Sequence, residues 1–260
     1  MVVASEGTDP FAMEPAMTAR TNELGQPIGE PVPGWMPRPR PPRTAMVGRT
    51  VRLEPLTAAD HARSLFDAVS EDDGRMWTYL AVGPFGTDRA GFDKWIAQCE
   101  ASEDPLFFAV IEQATGRCLG YASYLRIDPA VGVIEVGHIT MSPALQRTVM
   151  ATETMYLMMA RVFDELGYRR YEWKCDSLNA PSRAAAKRLG FQYEGLFRQA
   201  TLYKGRNRDT AWFSILDREW PALKAAFLRW LDPANFDADG RQRESLSDLT
   251  AGAHASQPHA

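Results

Sequence analysis

Between Gly132 and Asp176 the sequence reads strand, helix, strand. "GVIEVGHITM" (132–141) is rich in β-branched residues. Met155, Met158, Met159, Val162, Phe163 and Leu166 then recur at helical spacing, and Gly167 stops the run. "YRRYEWKCD" (168–176) alternates: Tyr171, Trp173 and Cys175 face one way, Arg170, Glu172, Lys174 and Asp176 the other. Two strands joined through a helix pair in parallel, and the crossover is right-handed. That commits the chain to a mixed α/β architecture.

The flanking elements extend the pattern. "RTVRLEPL" (49–56) reads as a strand, and Thr57 with Asp60 opens a helix that buries Ala62, Leu65, Phe66 and Val69. An aromatic loop, "MWTYLAVGPFG" (76–86), leads to a second helix over about 88–102. "LFFAVIE" and "RCLGYASYLRI" precede the strand at 132–141, with turns at "QATG" and "DPAVG", and form an antiparallel meander with it. After the crossover, "NAPSRAAAKRLG" is a short helix with Pro181 in its first turn and Gly190 at its end. "FQYEGLFRQATLYK" and "DTAWFSIL" form a hairpin across "GRNR", and a last helix covers about 218–231. The expected order is β-α-α-β-β-β-α-β-α-β-β-α.

Four segments follow from this reading. Residues 1–46 carry nine prolines from Pro10 to Pro42, which exclude helix and central strand and predict an extended or disordered arm. Residues 47–216 form the α/β domain, 217–234 a helix packed on it, and 235–260 a polar disordered tail. A net charge of -4 argues against a nucleic-acid partner, so any anion site has to be local. Cys99, Cys118 and Cys175 are few and widely spaced, which fits a reduced thiol state; no metal-ligand spacing is present. No signal peptide or membrane span is visible, which predicts a cytoplasmic protein with no membrane partner.

Three motifs carry a resemblance. They are "IEVGHITMSPALQRTVMATE", "NAPSRAAAKRLGF" and "EGLFRQ", in that order. Over roughly residues 46–216 the chain resembles the GNAT (Gcn5-related N-acetyltransferase) family, and most closely its ribosomal-protein N-terminal acetyltransferase branch. The resemblance implies a mixed, mostly antiparallel sheet of about seven strands with helices on both faces, splayed between the fourth and fifth strands. It implies acetyl-CoA, or another acyl-CoA, as co-substrate, no metal, and an acceptor that is a small-molecule amine or a protein N-terminus. It admits a homodimer. The alternative is a catalytically degenerate relative that binds CoA or a protein partner.

The implied roles fall on particular residues. The pyrophosphate would lie on the helix start at Gln146, Arg147, Thr148, Val149, Met150, Ala151 and Thr152, where backbone amides lack intrahelical partners. The pantetheine arm would follow Ile139, Thr140 and Met141, and Asn179 would reach it, although Asn179 is equally an N-cap. Glu135 is the first candidate base, with the alternative that it pairs with an arginine such as Arg126 or Arg198. His138 is the second, on the opposite face from Glu135 unless a bulge intervenes. Many relatives use a tyrosine as acid where this chain has Ala186, so Ser182 or water is left for that role. Trp77, Tyr79 and Phe85 are candidates to shape the acceptor pocket. Arg206 and Arg208 sit in a basic hairpin that is either solvated or meets an anion.

The phosphate loop departs from the family pattern Gln/Arg-x-x-Gly-x-Gly/Ala. Val149 stands at the central glycine, and Arg147 where many relatives have another. If the backbone there needs positive φ, each such residue costs about 1–2 kcal/mol. If it is helical, valine costs little and its amide remains available.

Overall fold

The computed structural model describes residues 20–255 of the chain. The predictions made for 1–19 and 256–260 lie outside those residues. Residues 20–36 belong to a separate compact unit. In it, β1 (Arg20–Thr21) pairs antiparallel with β2 (Pro27–Ile28), and the Asn22 side chain accepts from the amides of Leu24 and Gln26.

The larger unit begins at Pro37. Its sheet contains β3 (Met46–Val47), β4 (Val51–Pro55), β5 (Leu106–Glu112), β6 (Cys118–Asp128), β7 (Val133–Met141), β8 (Arg170–Asp176), β9 (Gln192–Tyr203) and β10 (Arg206–Leu216). The eight strands lie in the order β3-β4-β5-β6-β7-β8-β10-β9. Among the described residues only β7 and β8 pair in parallel. One strand more than expected is present, because Met46 is buried and pairs with Leu53 at the sheet edge.

Among the described residues six α-helices flank the sheet: α1 (Ala58–Val69), α2 (Arg89–Ala101), α3 (Val149–Ala160), α4 (Ala180–Arg188), α5 (Trp220–Leu231) and α6 (Leu246–Ala255). The alternation of the strands divides the core in two. Phe107, Ala109, Ile111 and Tyr121 pack with α1 and α2 residues such as Leu65 and Phe92. Phe108, Tyr124, Ile134, Val136, Tyr171 and Trp173 pack on the other side with Met155, Met158 and Phe227. The stripe expected from 151 to 166 is α3 followed by a π-helical turn, Arg161–Glu165.

Three boundaries differ from the sequence expectation. The arm is held to the domain well before residue 46: Tyr168 donates its hydroxyl to the Pro39 carbonyl, and the buried Arg161 guanidinium bonds the carbonyls of Thr44 and Ala45. Proline-rich backbone lacks donors, and here its carbonyls are satisfied by side chains. The tail expected to be disordered from 235 instead forms α6, with Leu246, Thr250 and Ala253 buried. The hairpin turns at Lys204 and Gly205, both at positive φ, so Arg206 to Arg208 are strand residues paired with Tyr203, Leu202 and Thr201.

Candidate active site

The sequence leaves β7 at Met141 and enters α3 at Val149. Thr148 is the N-cap, and its Oγ1 accepts from the Ala151 amide at 3.2 Å. The Gln146 amide bonds the Ser142 carbonyl, and the Thr152 amide bonds the Thr148 carbonyl. Of the seven positions suggested by resemblance, Gln146, Ala151 and Thr152 have their amides engaged. The amides of Arg147, Thr148, Val149 and Met150 donate to no group among the described residues.

Val149 is the first helical residue, and only Arg147 has positive φ, at 62°. Strain of about 1–2 kcal/mol therefore falls on Arg147 and not on Val149. Arg147 is exposed, whereas Val149 and Met150 are half-buried and pack against the larger core cluster. Their side chains pack on the core. One turn on, the buried Glu153 carboxylate accepts from the amides of Arg49, Thr50 and Val51, which fixes α3 against the start of β4.

The parallel pairing of β7 with β8 ends at Val136 opposite Trp173. Beyond it, β7 runs on to Met141 bonded only to β6. The two strands therefore splay, and the β8-facing backbone of Gly137 to Met141 has no strand partner. Ile139, Thr140 and Met141 lie on this stretch, with Thr140 buried and the other two half-buried.

A bulge does intervene at His138. Gly137 pairs with Ser123 and Thr140 with Tyr121, so three steps on β7 match two on β6; His138 has φ of 49°. The ring is thereby brought to the same face as Glu135, where it packs on Phe107 with centroids 5.1 Å apart. His138 Nδ1 lies 3.0 Å from Ser123 Oγ, which is 3.1 Å from the Gly137 carbonyl oxygen. A hydroxyl has one proton. Both contacts are satisfied when Ser123 donates to Gly137 and accepts from Nδ1–H, which leaves Nε2 as the unprotonated nitrogen. Burial, and secondarily the charge of Arg126, lowers the His138 pKa below its ordinary 6.5.

Glu135 is buried and ion-paired, as the alternative reading allowed. Its Oε2 is 2.7 Å from Arg126 and 2.8 Å from Lys174. Lys174 also reaches Glu172 at 2.7 Å, and Arg170 joins Glu172 to Glu194. This ladder crosses from β7 to β8 just where they begin to part. Arg198 takes no part in it. Lys174 also stands over the Trp212 ring, 3.7 Å from its centroid. Lys174 and Ser123 were not singled out from sequence; the alternation of "YEWKCD" placed Lys174 on the right face, but no local pattern names its partner.

Asn179 caps α4, its side-chain oxygen accepting from the Ser182 amide at 3.1 Å. Ser182 Oγ accepts the Trp173 indole N–H at 3.0 Å, and the hydroxyl also stands in hydrogen-bond reach of Cys175. Trp173 is on the α3 side of the sheet, so Ser182 and His138 lie on opposite sides of the splay. Ala186 is fully buried in the core. Thr152 is buried, and its hydroxyl accepts from Arg188 at 3.0 Å.

The aromatic loop residues divide. Trp77 is buried, and Phe85 sits edge-on between Trp77 and Phe92, so both are core. Tyr79 bridges instead, donating its hydroxyl to the Leu178 carbonyl at the β8–α4 turn. The hairpin tip docks on the same loop: Lys204 bonds the Trp77 carbonyl and Arg206 the Thr78 carbonyl, both at 2.7 Å. Arg208 bonds Thr210. The basic hairpin is thus neither freely solvated nor facing a carboxylate. Tyr203 donates to the buried Asp176, and burial with that contact raises its pKa to about 12. Among the described residues no cluster of three or more potential ligands is placed to hold a metal ion, and no helix is long and apolar enough to cross a membrane.

Comparison with known proteins agrees with this geometry. The sequence model of an acetyltransferase (GNAT) domain matches residues 50–192. A solved GCN5-related N-acetyltransferase from Brucella melitensis is 52% identical, with a TM-score of 0.83 over 85% of this chain and 100% of that one. A structure described as "probable acetyltransferases (GNAT family)" from Chromobacterium violaceum is 44% identical, with a TM-score of 0.70 over 76% of this chain and 98% of that one. The "Uncharacterized N-acetyltransferase p20" of Bacillus licheniformis is 31% identical over 113 residues, 44% of this chain and 63% of that protein's length. The chain thus spans less than two thirds of that relative. The domain match alone covers more than half of the sequence, and the chain belongs to the GNAT acetyltransferase family.

Proposed function

We propose that the protein transfers an acetyl group from acetyl-CoA to a primary amine, on a small molecule or a protein N-terminus, by direct attack in a ternary complex. One observation carries this reading: four consecutive unpartnered amides, Arg147 to Met150, stand at a helix start beside the gap between β7 and β8. Such amides hold the charge of a pyrophosphate without further side chains. The edge of Gly137 to Met141 that lacks a strand partner suits the amide groups of a pantetheine arm, except at the Met141 carbonyl, which Gln146 Nε2 already meets at 2.7 Å, and the Asn179 side-chain NH₂ remains available to it.

The chemistry follows from the two sides of the splay. The amine enters on the face of His138 and attacks the thioester carbonyl. Its proton passes to His138 Nε2, directly or through water, as the C–N bond forms. The C–S bond breaks towards the α4 side, where the Ser182 hydroxyl donates to the departing thiolate and recovers its proton from solvent. Products are an amide and free CoA. His138 is preferred to Glu135 as base because both cations of the ladder engage the Glu135 carboxylate. Positioning of amine and thioester supplies much of the rate.

The test is release of free thiol from acetyl-CoA with a panel of primary amines and short peptides. The reading expects amine-dependent release that falls about 100-fold or more in His138→Gln. Binding of acetyl-CoA with no amine supporting release would instead favour a CoA-binding relative without transferase activity.

A further inference from the structure

Tyr121 is a buried phenol that the proposed chemistry does not use. It lies on β6 directly opposite Thr140 of β7, just past the bulge at His138. Its hydroxyl accepts the indole N–H of Trp95, on α2, at 3.1 Å and stands in hydrogen-bond reach of the Thr140 hydroxyl. The Thr140 hydroxyl donates to the His138 carbonyl at 3.2 Å. Trp95, Tyr121 and His138 all pack on Phe107, with ring centroids 6.3, 6.0 and 5.1 Å from it.

This chain of groups has one direction. An indole N–H only donates, so the Tyr121 oxygen accepts there and its own proton is left for Thr140. The Thr140 oxygen accepts that proton and gives its own to the His138 carbonyl. Burial raises the Tyr121 pKa to about 12, so the phenol keeps its proton wherever His138 titrates.

The bulge needs such a tie. His138 has φ of 49°, a conformation that side chains disfavour and that persists where the surroundings over-determine it. Ser123 holds one side, through the Gly137 carbonyl and Nδ1. Thr140 holds the other, through the His138 carbonyl. A strand that lost the bulge would return residue 138 to the opposite face.

We propose that Trp95, Tyr121 and Thr140 are positioning residues, a hydrogen-bond chain from α2 to β7 that fixes the His138 bulge and so aims the imidazole at the acceptor amine. The inference rests on the base role proposed for His138 and extends its support to α2.

The experiment follows the His138 imidazole by nitrogen–proton NMR over pH, with His138→Gln to assign the resonance, and measures kcat alongside. The proteins are wild type, Tyr121→Phe, Trp95→Phe and Tyr124→Phe. Tyr124→Phe is the control: it also deletes a buried phenol hydroxyl, but one that bonds the Met158 carbonyl in the other core cluster. Arg126, whose charge acts on His138, and Glu135 on the same face are left in place throughout. Tyr121→Phe should raise the His138 pKa towards 6.5 as the loosened ring gains solvent, and lower kcat about 3- to 10-fold with KM for acetyl-CoA unchanged. Trp95→Phe, a milder change at a half-buried position, should move both in the same direction by less. Tyr124→Phe should move neither. An unmoved His138 titration in Tyr121→Phe, or an equal kcat loss in Tyr124→Phe, overturns the inference and leaves Tyr121 as core. A titration that moves as expected, in a protein whose His138→Gln variant keeps full kcat, upholds the positioning and defeats the base role instead.

Discussion

His138 and Ser123 form a relay of fixed direction: Nδ1 lies 3.0 Å from Oγ, and Oγ in turn is spoken for by the Gly137 carbonyl. The bulge that turns His138 onto this face also sets its tautomer. The imidazole's free nitrogen is then Nε2 and its neutral form is favoured by burial, as the base role proposed for it requires. Ser123→Ala should therefore lower kcat about 3- to 10-fold while leaving KM for acetyl-CoA unchanged, because one net hydrogen bond is lost. Steady-state kinetics at saturating amine checks this.

The pH dependence has a definite sign. His138 must be neutral to accept a proton, and its folded pKa lies below 6.5. The acid limb of kcat should accordingly fall below pH 6.5 and disappear in His138→Gln. The same shift means the unfolded chain binds this proton more readily. His138 thus costs nothing in stability well above pH 6.5, and stability falls as pH drops through that value towards the folded pKa.

In the proposed mechanism Glu135, ion-paired to Arg126 and Lys174, serves structure. Glu135→Gln removes the charge that Lys174 and Arg126 share, while Glu172 still meets Lys174. The variant should be destabilised by about 2–3 kcal/mol in urea unfolding. Its kcat should stay within about 10-fold of wild type, against the larger loss in His138→Gln. A variant that folds normally but loses all turnover would return the base role to Glu135.

The loop substitutions separate conformational strain from contact. Arg147→Gly should raise stability by about 1 kcal/mol by relieving the positive φ. Val149→Gly should bring no gain in acetyl-CoA affinity, since Val149 already has helical geometry and its side chain faces the core. Unfolding curves and calorimetric titration of the two variants measure these effects.

What could be read in the sequence follows from what is local. Thr57, Asp88 and Asn179 cap helices in the places their spacing indicates, and the alternation at 170–176 gave the faces of β8. The splay between β7 and β8 came through resemblance, and the pairing register bears it out. The bulge at His138 was left open because period-two counting fails wherever one strand gains a residue; Gly137 beside it was the local signal, since a glycine inside a strand often marks a bulge. The ladder from Arg126 to Glu194 joins four strands, so no single window contains it. The last helix was missed although its signals were present. Ser245 and Asp248 form a cap, and Leu246, Thr250 and Ala253 share its buried face; the small, polar composition of the segment hid them.

In the proposed function Arg147, Thr148, Val149 and Met150 present their amides to a phosphate group. The most direct measurement is a nitrogen–proton NMR titration of the labelled protein with acetyl-CoA. The account predicts that these four amide resonances move furthest, together and saturably, at about micromolar ligand. Shifts confined to other regions, or none at millimolar ligand, would contradict it.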